Sequence, residues 1–252
     1  MYQQLPRPTI FAHRGSKNHA PENTLAAFKL ALAQGAPAIE LDVKLTADGE
    51  IVVFHDRTLD RTTGGTGRLQ DQTLASLKAL DAGFHFSPAF KGEPIPTLAE
   101  VFEAVGRQVF INIELTNYAS PKDQLPDKVA ELIIKFDLQD GVMFSSFNRY
   151  ALQRAKQLLP AVPLGLLALP GIIGAPARGW LGRQWVAYQA LHPALVDATP
   201  GLISKAHQRG HRVHVYTVNK REDMLRLFQH GVDGIFTDDP PLAFDVLRQM
   251  GK

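Results

Sequence analysis

A single β/α barrel, eight parallel strands each followed by a helix, is the architecture this sequence predicts. Short β-rich runs alternate with amphipathic, helix-period stretches along nearly the whole chain, a pattern that calls for parallel strands joined by helical crossovers. Eight such runs can be counted, and the 252 residues match the usual size of a (β/α)8 (TIM) barrel, about 250 residues. An open doubly wound sheet is the alternative. It lacks support because no GxGxxG follows the first β-rich run.

The runs at 9–12, 38–44, 109–115, 142–145, 163–168, 190–192, 212–218 and 234–237 supply the eight strands. Helical patterns at 23–34, 98–105, 122–136, 149–158, 200–208 and 221–230 fall between them. One segment breaks the alternation. A short extra strand at 51–54 leads into a Gly/Thr-rich stretch and loop-like sequence, so about 56–94 reads as an insertion between the second and third barrel units. Long irregular segments inside compact domains are usually functional. The stretch 166–179, rich in Gly, Pro and Ala, reads as a mobile loop over one face. With no repeat and no low-complexity tract, residues 1–252 are expected to form one catalytic barrel domain.

Composition removes several functions. The formal net charge of +2 and the absence of a basic stripe give no footprint for nucleic acid. With no cysteine, disulfides, zinc–thiolate sites and cysteine nucleophiles are excluded. No apolar run approaches the roughly 20 residues that span a bilayer, so no stable membrane insertion is expected. Residues 1–8 are polar and proline-containing, unlike the apolar core of a signal peptide; a cytoplasmic enzyme is the expectation. Oligomeric state is not legible.

The informative residues are ionisable and stand at the ends of expected strands, where barrel active sites lie. His13 and Arg14 end the first, Glu40 and Asp42 the second, His55 and Asp56 the extra strand, and Glu114 the third; Asp238 follows the last. Glu40 and Asp42, two apart on a strand, share a face. Three converging carboxylates would repel one another and raise their own pKa values unless a cation joined them. All-oxygen ligation favours one divalent ion, Mg²⁺ or Ca²⁺, over zinc. The alternative is a set of structural ion pairs with Lys44 or arginines. His13 and His55 form a candidate acid–base pair, since imidazole titrates near neutrality; hydrogen-bonded structural histidines are the plainer reading. Arg14 offers a planar fork for a phosphate or a surface salt bridge. Glu22 and Asn23 open the first helix, with Asn23 the better N-cap. Asp238 and Asp239 precede two prolines, where turn and capping roles suffice.

These residues stand in a recognisable order: His13-Arg14-Gly15, Pro21-Glu22-Asn23-Thr24, Glu40-Leu41-Asp42-Val43, Asp48-Gly49, His55-Asp56, Ile95-Pro96-Thr97-Leu98, Asn112-Ile113-Glu114, Ser145-Ser146-Phe147, Tyr216-Thr217-Val218-Asn219 and Thr237-Asp238. In that order and spacing the chain resembles the glycerophosphodiester phosphodiesterase family, bacterial cytosolic members above all, over nearly its full length. The resemblance implies a TIM barrel that hydrolyses a small glycerophosphodiester to glycerol 3-phosphate and an alcohol. It further implies that Glu40, Asp42 and Glu114 hold the divalent cation, that His13 and His55 are general acid and base, and that Arg14 grips the phosphate. Phe147 and Tyr216 would line the pocket beside the glycerol. One departure stands out: Thr116 occupies the position where the family usually carries a lysine, and Lys44 and Lys122 are the candidates to replace its charge. Three rival readings accompany this one. They are a lysophospholipase D-like enzyme, marked by an apolar patch beside the mouth; an aldolase-type barrel using Lys44 as a Schiff base; and a catalytically impaired barrel, for which Thr116 is the hint.

Overall fold

The structure, a computed structural model, describes residues 1–251. Eight parallel strands close into a barrel: β1 (Thr9–His13), β2 (Ala38–Leu45), β4 (Phe110–Leu115), β5 (Val142–Ser146), β6 (Leu164–Ala168), β7 (Ala190–Pro193), β8 (Arg212–Val215) and β9 (Gly234–Thr237). Closure is made by β1 pairing with both β2 and β9. The remaining strand, β3 (Ile51–Val53), runs antiparallel on β2. The helices between are α1 (Leu25–Ala33), α2 (Leu74–Lys78), α3 (Leu98–Val105), α4 (Leu125–Lys135), α5 (Arg149–Leu158), α6 (Gly171–Arg178), α7 (Trp180–Trp185), α8 (Pro200–His207), α9 (Arg221–Gln229) and α10 (Pro240–Gln249). The expected TIM barrel is therefore the observed fold.

Local chemistry explains the helix starts. Thr97 and Glu100 form a reciprocal capping box at α3. Its buried Leu98, Val101, Phe102 and Val105 fall at i, i+3, i+4 and i+7, one stripe against the strands. Asn148, Thr199 and Asp239 cap α5, α8 and α10 by a single side-chain bond each, accepting from the N–H groups of Tyr150, Leu202 and Leu242. At α10, Pro240 and Pro241 occupy first-turn positions whose N–H groups have no helical partner in any case.

The two-residue period of a strand builds the barrel interior in layers. Phe11, Ala38, Phe110, Met143, Ala190 and Phe236 pack with Tyr2 as one apolar cluster. Two positions further along their strands stand His13, Glu40, Asn112, Ser145 and His192, and two further on β2 and β4 stand Asp42 and Glu114. An apolar floor thus carries a polar layer at the C-terminal ends of the strands.

Two expectations need correction. Residues 166–179 are not a mobile loop: they hold the end of β6 and all of α6. The small residues serve close packing there, since a Cβ on Gly174 would lie 1.7 Å from the Leu169 carbonyl oxygen. Arg178 ties the segment by donating to the carbonyls of Leu169 and Gly171 and pairing with Asp197 at 3.0 Å. The N-cap of α1 is Thr24, whose Oγ1 accepts from Ala27 N–H, and not Asn23. The insertion after β3 has a small apolar cluster of its own, Val52, Phe54, Leu59, Leu69, Leu77, Ala82 and Ile95, which anchors the segment where His55 and Asp56 begin.

Candidate active site

Strand register brings the carboxylates together. In the parallel ladders Asp42 pairs with Glu114, Glu40 with Asn112, and His13 with Glu40. One carboxylate oxygen from each of Glu40, Asp42 and Glu114 lies within 4.8 Å of the others. Burial, then Asp42, pushes the Glu114 carboxyl up to about 8. Burial, Asp42 and Glu114 together push Glu40 well above the usual carboxylate range. Burial opposes the charge on Asp42 too, but Arg14, His55 and the Asn23 amide hold that group low. Glu40 Oε1 is buried with no hydrogen-bond partner among the described residues. Mutually repelling carboxylates with an unspent buried oxygen are the donor set a hard divalent cation fits.

Backbone strain supports this corner. Arg14 and Asn23 both have positive φ, 57° and 56°, a region few non-glycine residues adopt. The bend directs Arg14 N–H onto Glu40 Oε2 at 3.0 Å. Asn23 Nδ2 donates to Asp42 Oδ2 at 3.0 Å and Asn23 Oδ1 accepts from Asp42 N–H. The Asn23 side chain thus orients Asp42 instead of capping the helix. Arg14 donates from Nη1 to Glu22 at 2.9 Å, with Nε 3.2 Å from Asp42, and its Nη2 has no partner among the described residues.

The two histidines are tethered alike. His13 Nδ1 donates to Asp238 Oδ1 at 2.6 Å, and His55 Nδ1 donates to Asp56 Oδ1 at 2.6 Å. Each tether leaves Nε2 as the free ring nitrogen, and that of His13 lies 3.9 Å from Glu40. Asp238 is held in turn by Asn219, which donates from Nδ2 to Oδ2 and accepts the Asp238 N–H. Burial works to raise the Asp238 carboxyl, but His13, Lys17 and Asn219 hold it below the usual range. Burial holds His13 below its ordinary value, against the pull of Asp238. Arg61 grips both Asp56 and Glu22, joining the His55 tether to the Arg14 corner.

A cavity of about 280 Å³ is lined by His13, Arg14, Glu40, His55, Glu114, Phe147 and Tyr216, among others. Seven of the eight residues to which the resemblance gives a catalytic, metal or substrate role thus line this cavity, and the eighth, Asp42, stands 3.2 Å from Arg14 Nε. Phe147 stands edge-on to Tyr216 at 5.9 Å, and the Tyr216 hydroxyl donates to the Ala168 carbonyl. Tyr118, unremarked in the sequence, donates to Glu114 Oε1 at 2.6 Å. Asp238 and Asn23 carry capping roles in the sequence reading, because capping explains such residues equally well until the long-range contact is seen; Asn219 carries no role there beyond its place in the motif. For Asp238 the available signal is the Thr237-Asp238 pair following the last strand. Lys44 does reach the departure at Thr116, donating to its Oγ1 at 2.8 Å. Lys122 instead lies over the Tyr150 ring.

Comparison with known proteins decides the family. Residues 13–242 match the glycerophosphoryl diester phosphodiesterase family. The chain belongs to this family. A glycerophosphodiester phosphodiesterase of Caldanaerobacter subterraneus subsp. tengcongensis is 41% identical over 244 residues, 96% of this chain and 98% of that one. Another from Bacillus altitudinis is 37% identical over 245 residues, again 96% and 98%. Among solved structures, an Oleispira antarctica phosphodiesterase in complex with the product sn-glycerol-3-phosphate superposes with a TM-score of 0.89 at 34% identity, covering 98% of each chain. The family's fold and its hydrolysis of phosphoric diesters are those the motifs implied. No helix among the described residues is long and apolar enough to cross a membrane.

Proposed function

We propose that this chain hydrolyses glycerophosphodiesters to glycerol 3-phosphate and an alcohol, as one catalytic barrel domain with the 56–94 segment walling the mouth. The observation that carries the reading is the convergence of two Asp-tethered histidines on three carboxylates at one cavity. Glu40, Asp42 and Glu114 would hold one Mg²⁺ or Ca²⁺. When bound, such an ion neutralises phosphate charge and polarises phosphorus. Arg14 presents its unpartnered Nη2 for a phosphate oxygen, while Glu22 and Asp42 fix the guanidinium plane. Phe147 and Tyr216 wall the glycerol end. One histidine takes the proton of the attacking oxygen at Nε2, and the other protonates the leaving alcohol.

Turnover of a glycerophosphodiester panel by His13→Ala and His55→Ala tests the acid–base pair. Positioned proton transfer contributes about 10²–10⁴-fold, so each variant should lose rate on that scale with binding largely kept. Near-full turnover in both would remove the assignment. Full activity in excess EDTA, with no metal by elemental analysis, would remove the cation.

One observation favours a second reading, a lysophospholipase D-like enzyme. Beside the mouth, just after β6, Ile172, Ile173 and Trp180 are 89%, 74% and 63% exposed. They follow β6, whose Ala168 carbonyl accepts from Tyr216, and exposed apolar surface there would suit an acyl chain. Turnover of lysophospholipid against the deacylated diester separates the two readings.

A further inference from the structure

Beyond the catalytic cavity lies a second, larger one of about 730 Å³ between the insertion and the segment following β4, and His55 lines both. We infer that this second cavity receives the leaving alcohol and that its wall selects an anionic or polyhydroxylated alcohol over a cationic amino alcohol. The inference rests on the phosphodiesterase reading above and names the half of the substrate which that reading leaves open.

Position assigns the proton. His13 is half-buried against Asp238 and Glu40 and lines only the smaller cavity. His55 stands at the junction, with Nδ1 spent on Asp56 and Nε2 free. The attacking oxygen bonds to phosphorus and gives its proton to His13. The bond from phosphorus to the alcohol oxygen breaks, its electron pair stays on that oxygen, and His55, entering the step as the imidazolium with Nδ1–H on Asp56, supplies the proton from Nε2. The departing group is then released on the larger cavity's side of His55.

Charge and hydrogen-bonding capacity select the alcohol. Two carboxylates line the wall, and both are already engaged: Asp56 by His55 and Arg61, and Asp123 by Asn117, Ser120 and the Leu125 N–H. The two cations on the wall, Lys44 and Arg57, make no carboxylate ion pair among the described residues. Lys44 is anchored through Thr116 at 2.8 Å, which aims a fixed ammonium along the wall. Among the described residues Tyr118 is the one phenyl-type or indole ring lining this cavity, whereas quaternary ammonium groups are held by several aromatic faces. Hydroxyl and amide groups of Thr58, Gln70 and Ser120 complete a surface suited to a polyol or an acid.

The test compares kcat/KM for glycerophosphoinositol and glycerophosphocholine in the holoenzyme, wild type against Lys44→Met and Arg57→Gln. Losing a charge-assisted contact is worth about tenfold or more. Wild type should prefer the inositol ester by about tenfold or more, and each variant should narrow that ratio through KM. Arg57 is exposed, so its variant folds even if burial makes Lys44→Met fragile. A wild-type preference for choline, or a ratio unmoved in both variants, overturns the subsite while leaving the phosphodiesterase reading intact. Failure of wild type to release glycerol 3-phosphate from either ester overturns both.

Discussion

Asp238→Asn isolates the tether on His13 without changing its shape. Asp238 accepts from His13 Nδ1 at 2.6 Å in a partly buried setting, the short distance of a charge-assisted bond. It also keeps Nε2 in the proton-accepting tautomer and stabilises the imidazolium that forms once the proton is taken. The asparagine retains the volume but loses the charge, and its amide can face His13 with either a donor or an acceptor. Hydrogen bonds to charged groups contribute about 1.5–3 kcal/mol, so turnover should fall by roughly ten- to a hundredfold, at about 1.4 kcal/mol per tenfold. KM should change little, because Asp238 lies behind the histidine and does not line the catalytic cavity. The assay is steady-state release of glycerol 3-phosphate across pH, with the unfolding midpoint measured alongside. In the variant, the acidic limb of the kcat profile should move as well as its height, since the carboxylate acts through the ring's proton affinity. Turnover within twofold of wild type, or a loss confined to KM, would refute the positioning role; a fall tracking only lost stability would reduce it to a structural one.

Three further outcomes are expected. Mg²⁺ or Ca²⁺ should raise the unfolding temperature, by the equivalent of about 2.7 kcal/mol at a hundredfold excess over Kd, and Glu114→Gln should weaken that response; calorimetry with no shift for either ion would exclude the site. Burial holds His192 down to about 3 and His214 well below its ordinary value. As pH falls through 6.5 the unfolded chain therefore takes up protons that the folded chain refuses, and stability falls with it; by about a unit above 6.5 neither state is protonated and the effect disappears. The pair should cost roughly 3 kcal/mol between pH 6.5 and 5, and denaturant titrations of His192→Asn should show a shallower acid slope than wild type, an unchanged slope counting against the buried neutral ring. Gly15→Ala should destabilise by well over the ~1–2 kcal/mol of a left-handed residue. Its φ is +84° and its new Cβ would sit 2.7 Å from the Ala27 carbonyl carbon in α1; thermal melting within a degree or two of wild type would contradict that packing.

The barrel was legible because strand and helix periods are local. Alternation along the chain announces eight strands with helices between most of them, and the two-residue spacing of Glu40 and Asp42 places both on one face. Motif order by itself carries the resemblance to the family. Where local signals had two meanings, the one-dimensional reading chose wrongly. Asn23 and Asp238 looked like caps, yet their partners, Asp42 and His13, lie 19 and 225 positions away. Glycine and alanine between 166 and 179 looked like flexibility, yet they let backbone approach backbone, which only packing reveals. Most of all, the juxtaposition of two cavities across His55 and the anchoring of Lys44 on Thr116 depend on how an insertion folds back over a neighbouring strand. Such contacts are long-range, set by the closed ladder and the insertion's own small core.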